Sequence, residues 1–551
     1  MNAAPSPSLH GKTSWVGWIP LFLVAACIAA LAAIWIVPAE VFPRGAQMSA
    51  TFVAAVIALV AACVWVFLFS GLTQLALAAV AVAAVAVIAV AAASVRLVEF
   101  SGNMVPTFEF RWQESRDARL AAHRRGLGNG APQTAMTVDL TRVSAEDSPQ
   151  YRGPARDGVV VGPALALDWS RQPPKAVWRQ PVGGGFAAFV VVGDTAITIE
   201  QRREQNVDLE AVVAYDTRTG RERWVHEYPA LFSESLGGNG PRATPTVADG
   251  RVYAFGATGI LSCLDGASGK SLWTVDVHQL NQSQNVQWGM CSSPLVYDGL
   301  VVVVPGSQKG SEASRLVLAF RAENGERLWG QGRAQAAYSS PALATLRGQR
   351  QIIVFDAVGL AGFDDAGGGE LWRHPTTAPY DNAAAQPLVL AGDRVFFSNE
   401  SGCGLLRIAQ GADGKWSATP LWENRNLKCA YANPVVVGNH VYGLDQGILA
   451  CLDLKTGRRV WKSGKARYGH GQLLLSGELL LVLTEGGELA LVEATPEAFH
   501  ERGKVPALEG KTWNNPALVR GRAYIRNHLE MACYELPLRR EIEQAAGNDH
   551  Q

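Results

Sequence analysis

Five times after residue 200 the chain spells Gly-x-x-x-Trp, ending at Trp224, Trp273, Trp329, Trp372 and Trp461, and each copy closes a longer unit such as AYDTRTGRERW. In four of the five, an Asp stands four residues before the Gly; Arg321 is the exception. Alternating apolar residues ahead of the Asp specify a strand. The Asp-to-Gly segment specifies a tight hairpin in which Gly supplies a positive φ, and the Trp opens the next strand. A unit recurring at this interval demands a repeat architecture.

A second element precedes each of these units. It is an apolar strand, a turn and another apolar strand, as in TPTVADGRVYAF or NPVVVGNHVYGL. Eight copies begin at Ala188, Thr244, Ser293, Ser340, Gln386, Asn433, Gly471 and Asn515, spaced 38 to 56 residues apart. That spacing is the length of a four-stranded propeller blade. Trp422 marks a looser copy of the Trp unit, and the seventh repeat lacks a Trp within LVEATPEAFHERGKV. The ends of the array complement each other. PPKAVWRQPVG, with Trp178, reads as an outer strand with no inner strands before it, while the last repeat has inner strands and no outer one. Joining them closes the ring and removes exposed edges. The predicted fold is an all-β, eight-bladed propeller. Trp178, Trp224, Trp273, Trp329, Trp372, Trp422 and Trp461 are expected to dock each blade on its neighbour, each burying about 150–250 Å².

Ahead of the repeats lies a different composition. Val16 to Val37 is an almost unbroken apolar run, and residues 51–95 carry no charge at all. About 20 residues of helix span a bilayer core, so these runs predict three transmembrane helices, with a turn near Ser70-Gly71 and Thr73-Gln74. Trp15, Trp18 and Trp35 suit the interfacial belt. Two further spans after the first argue against a cleaved signal peptide. The domain reading is a tail (1–14), a membrane anchor (15–97), a polar linker wrapping the propeller (98–170), the propeller (171–538) and a C-terminal tail (539–551). Lys12, Arg44 and Arg96 are too sparse to orient the anchor, and lean slightly toward a cytoplasmic C-terminal domain.

Lys+Arg and Asp+Glu both number 49, so no basic face points to a nucleic-acid partner. Eight cysteines contain no C-x-x-C pair, which leaves zinc, thioredoxin-like and c-type haem readings unsupported. Cys263, Cys451 and Cys533 occupy matching repeat positions and read as small buried hydrophobes. A disulfide among Cys291, Cys403 and Cys429 is open if the domain is exported.

The pattern A-x-D-x-x-T-G-x-x-x-W, as in Ala214 to Trp224, resembles the pyrroloquinoline-quinone (PQQ) repeat propellers, a family that includes quinoprotein dehydrogenases and BamB-like propellers. The resemblance covers about residues 150 to 536 and rests on structural residues. It implies an extracytoplasmic, periplasmic propeller tethered to the inner membrane as a multi-pass protein. The vicinal cysteines, calcium-ligand set and haem motif that mark the family's dehydrogenases are not selected by any motif here, so no PQQ or Ca²⁺ site is assigned. No catalytic or metal-binding residue is assigned either.

Loops leading into the inner strands, and hairpins between second and third strands, share one face of a propeller. Candidate ligand-binding residues on that funnel face are Arg242, Trp288, Tyr338, Asn382, Tyr431, Tyr468, His470, Trp513 and Asn514, because aromatic and amide groups in successive loops are what a binding funnel uses. Hairpin carboxylates Asp356, Glu400 and Asp445 could jointly hold a metal through oxygen ligands. The expected function is a membrane-anchored scaffold for a cell-envelope protein, peptide or glycan. The alternative is a membrane-bound, PQQ/Ca-dependent alcohol or sugar dehydrogenase.

Overall fold

The computed structural model describes residues 15–36, 44–102, 104–127, 138–378 and 383–539. The chain divides into a helical unit that runs to Glu114 and a β-rich unit from Ser115 onward.

In the helical unit, α1 (Ile19–Ile36), α2 (Arg44–Phe69) and α3 (Gln74–Ser94) are each long and apolar enough to cross a membrane. Their sides are almost wholly unburied, as lipid-facing helices require. Thr73 caps α3 by accepting from Ala76 N–H, and the Trp35 indole donates to Thr51 across the α1–α2 pair. α3 runs directly into a hairpin of Val95–Phe100 and Pro106–Phe110, whose Phe110 stacks on the exposed Trp112 at 4.5 Å.

The β-rich unit contains eight sheets, seven of four antiparallel strands and one, the seventh, with a fifth short strand added in parallel; these are the blades I to VIII in chain order of their inner strands. Blade I begins at Val190–Val192 and blade VII at Gln472–Ser476. Blade VIII combines Ala517–Val519, Arg522–Arg526 and Glu530–Glu535 with the upstream strand Lys175–Pro181, so its outer strand comes from the other end of the ring. Trp178 of that strand donates to the Thr217 carbonyl of blade I at 3.0 Å, and Asn514 donates to Ala187 O at 2.8 Å. The ring is closed.

Docking follows one geometry. Trp224, Trp273, Trp422 and Trp461 donate their indole N–H to Gly266, Ala322, Leu454 and Thr495 carbonyls of the next blade, at 2.9–3.0 Å. The same indoles explain the recurring glycine. A Cβ at Gly269 would stand 2.5 Å from the Trp224 ring, and one at Gly325 2.7 Å from Trp273. The glycine serves the hairpin's positive φ and leaves room for the preceding blade's indole. Trp329 sits against Gly368 without a partner for its N–H. Trp372 departs from the pattern and donates to Gln351 of its own sheet at 2.7 Å. Blade V, its neighbour, has elongated outer strands (Cys403–Gln410 and Trp416–Asn424), and its turn glycine, Gly414, has no side chain within 4 Å of where a Cβ would stand. Opposite the tryptophans the third strand carries small residues, Ala214, Cys263, Cys451 and Cys533 among them. These three cysteines are fully buried, and all eight cysteines are free thiols.

The residues after Ser115 do more than wrap the outside. A short helix, α4 (Arg116–Gly126), is followed by a segment that runs through the centre of the ring. Ser148 pairs with Val191 of blade I, and Pro149 O accepts from Val247 of blade II. Arg156 donates to the carbonyls of Ser293 and Pro341 in blades III and IV, and Arg152 to Pro434 of blade VI. Val159–Val160 lies parallel to the inner strand of blade VII. A segment touching the innermost strands of six blades fills the channel. Beyond it, Trp169, 2% exposed, packs among Leu481, Leu489, Leu518 and Ile525 between blades VII and VIII. The indole missing from the seventh repeat is supplied by the linker.

Candidate functional site

Seven of the eight inner strands open with a polar residue, usually followed by Pro, and these residues form two hydrogen-bonded arcs from blade to blade. Ala188 N–H donates to Thr244 Oγ1, Thr244 N–H to Ser293 Oγ, and Ser293 N–H to Ser340 Oγ, at 2.9–3.1 Å. Gln386 N–H donates to Asn433 Oδ1 and Asn433 N–H to Gln472 Oε1. Proline cannot donate, so the preceding residue carries the blade-to-blade link. Gln472 Nε2 then donates to the carbonyls of Tyr431 and Trp513, tying the second arc to the loops above it.

Those loops hold an arc of rings. His470 meets Tyr431 at 4.8 Å between centroids, Tyr431 meets Trp513 at 5.1 Å, and Trp513 meets Phe186 at 5.3 Å. Lys511 Nζ lies 4.3 Å from the Trp513 ring centre, and the Arg242 guanidinium 4.7 Å over Phe232 and 5.6 Å over Phe186. Trp513 Nε1 donates to Glu485 Oε1 at 3.0 Å, which fixes the indole. Trp288 and Tyr338 form a second pair at 5.1 Å in blades III and IV. Burial holds His470 below the ordinary histidine range, opposed by Glu485. His528, beside Phe186, is pushed down to about 3 by burial and by Lys511 and Arg116.

Of the residues selected from sequence, Arg242, Trp288, Tyr338, Tyr431 and Trp513 are half-buried in these loops, and His470 lies beneath them. Two are elsewhere. Tyr468 is 1% exposed inside the core between blades VI and VII, its hydroxyl donating to Glu501. It follows the glycine turn's register into the core. Asn514 is fully buried and closes the ring onto Ala187 and Gly185. Asn382 lies outside the described residues. Phe186, Phe232 and Lys511 belong to the arc without a repeat signature; Lys511 could have been found two residues before Trp513.

The hairpin carboxylates do not meet. Asp356 pairs with Arg373 at 2.7 Å and Asp445 with Lys462 at 2.8 Å, each within its own blade, and Glu200 is held ionised against burial by Arg202 and Arg526. Among the described residues no group of three His, Cys, Asp or Glu side chains is placed to hold a metal ion.

A closed ring of β-sheets joined by indole-to-turn contacts defines a β-propeller, and three helices long and apolar enough to cross a membrane precede it in the chain; its repeats are similar to those of the PQQ-repeat family. Residues 208–463 match the family model described as outer membrane protein assembly factor BamB. Two curated proteins of that name are similar. The one from Burkholderia pseudomallei is 26% identical over 53% of this chain and 69% of its own length. The one from Bordetella pertussis is 26% identical over 47% of this chain and 61% of its own. Among solved structures, the quinohemoprotein alcohol dehydrogenase of Comamonas testosteroni superposes with a TM-score of 0.55 at 14% identity, over 73% of this chain and 84% of that one. That likeness concerns the fold alone.

Proposed function

We propose that this protein is a membrane-tethered, extracytoplasmic scaffold whose propeller docks a protein or peptide of the cell envelope on the face ringed by Arg242, Trp288, Tyr338, Tyr431, His470 and Trp513. The observation that carries this reading is the aromatic arc from His470 to Phe186, backed by the Lys511 and Arg242 cations. Half-buried aromatic and Arg side chains held rigid by their neighbours are what binding hot spots are made of. The curated relatives support an envelope setting, since both are outer membrane assembly factors by name. Aromatic faces also stack on sugar rings, so a glycan is the second ligand class to test. The anchor suits the inner membrane, with the propeller in the periplasm.

A photo-crosslinking residue placed at Trp288 or Trp513 in the full chain, in intact cells, tests the reading. Adducts to one defined envelope polypeptide, identified by mass spectrometry and missing when the same residue replaces the exposed Lys455, are expected. Adducts of equal yield from both positions, or none from either, would overturn it.

A further inference from the structure

The third span carries none of the side chains that hold a helix end at a membrane surface. Gln74–Ser94 contains no aromatic and no charged residue, and its 21 residues make about 30 Å of helix, the thickness of one bilayer core. The first span differs, with Trp15 and Trp18 before it and Trp35 near its end.

What α3 lacks stands beside its C-terminus, on the hairpin that follows. No linker separates the two, since Ser94 is the last helical residue and Val95 the first of the strand. The returning strand brings Phe110 opposite Val95. Arg111 then meets the helix end, its N–H donating to Ser94 O at 2.8 Å and its Nε to Ala92 O at 2.9 Å. A cation in that place also faces the negative end of the helix dipole. A turn closed by Gln113 N–H on Phe110 O lays Trp112 on Phe110, with the rings 11° from parallel. Phe108 and Phe110, two residues apart, share one face of the hairpin, while the Arg96–Glu109 ion pair belongs to the other. Phe108 is 59% exposed, Phe110 48% and Trp112 70%.

A two-stranded sheet is at best marginally stable in water, and three exposed rings on it favour an apolar neighbour. We infer that Phe108, Phe110, Arg111 and Trp112 form an interfacial collar at the end of α3, seated in the headgroup–acyl boundary of the membrane that α3 crosses. The bilayer is the occupant that the covalent connection puts there, because the rings lie at the hairpin's open end, next to the last residue of the span. Aromatic rings, with an Arg whose charge stays among the headgroups, are the residues this boundary selects. The inference rests on the membrane tether of the proposed function and is independent of its docking face.

The test uses the full chain in phosphatidylcholine vesicles. A genetically inserted fluorescent amino acid replaces, one at a time, Phe108, Trp112, Val85 in the middle of α3, or the exposed Lys455 of the propeller. The lipid carries a nitroxide near either the headgroup end or the methyl end of its acyl chains. Positions 108 and 112 should lose several-fold more fluorescence to the shallow nitroxide than to the deep one, position 85 more to the deep one, and position 455 little to either. Quenching at 108 and 112 no stronger than at 455, with 85 still quenched, would overturn the collar and leave the tether standing. An unquenched position 85 would overturn both. A photo-activatable residue at Phe108 gives the second reading: phospholipid adducts support the collar, and adducts chiefly to a second copy or another polypeptide overturn it.

Discussion

Asn433 donates to the hydroxyl of Tyr151 at 2.9 Å across 282 positions of sequence, binding the channel-filling segment to the arc of inner-strand residues. The same side chain serves Gln386 N–H and Gln472 Oε1, so it joins blades V, VI and VII to the linker. Asn433→Ala removes every one of these contacts and strands buried partners. A loss of about 2–4 kcal/mol is expected, read from the denaturant midpoint of the detergent-solubilised chain. A loss below about 0.5 kcal/mol would mean the arc carries little stability.

Two turn glycines differ in what surrounds them. Gly269 has φ +70 and would press a Cβ on Trp224; Gly414 has φ +78 with nothing within 4 Å. Gly414→Ala should lose only the left-handed backbone penalty, about 1–2 kcal/mol. Gly269→Ala adds displacement of the docked indole and should lose about 1–3 kcal/mol more. Equal losses would remove the indole from the explanation.

Trp169 tests whether the linker completes the propeller. Truncating a fully buried indole costs about 3–5 kcal/mol, so Trp169→Ala should lower Tm by several degrees and expose the segment between Asp139 and Pro174 to limited proteolysis. An unaltered digestion pattern with unchanged Tm would show that blades VII and VIII pack without it.

Stability should fall in acid. His528 is about 3 when folded and about 6.5 when unfolded, so below pH 6.5 the unfolded chain binds a proton the folded chain refuses. Its contribution is complete above that pH and shrinks by about 1.4 kcal/mol per pH unit down to about 3. His470, also lowered by burial, acts with the same sign. His528→Gln should flatten the pH–stability curve over this window; a curve that keeps its slope assigns the acid sensitivity to other groups.

Much of the architecture was legible because it is local and repeated. Period-2 apolar runs, a turn glycine and an indole four residues later recur within each blade's own stretch of chain, so strands, hairpins and docking tryptophans could be read in order. The orphan outer strand holding Trp178 announced ring closure, and charge-free runs announced the helices. The site was less legible. Tyr468 and Asn514 looked like their neighbours in sequence, yet one turns into the core and the other into the ring, because side-chain direction near a strand's start depends on packing from the adjacent blade.

By itself, then, the amino-acid order determined the three apolar helices and the repeated strands and hairpins, since each depends on periodicity and turn chemistry within about fifty residues. Only the tertiary structure decided that residues 147–160 run through the channel, that Trp169 replaces the seventh blade's missing indole, and that Arg152 comes to rest on the Pro434 carbonyl of blade VI. These are meetings between groups hundreds of residues apart. No local pattern encodes them, because what selects the partner is the closed geometry of the ring.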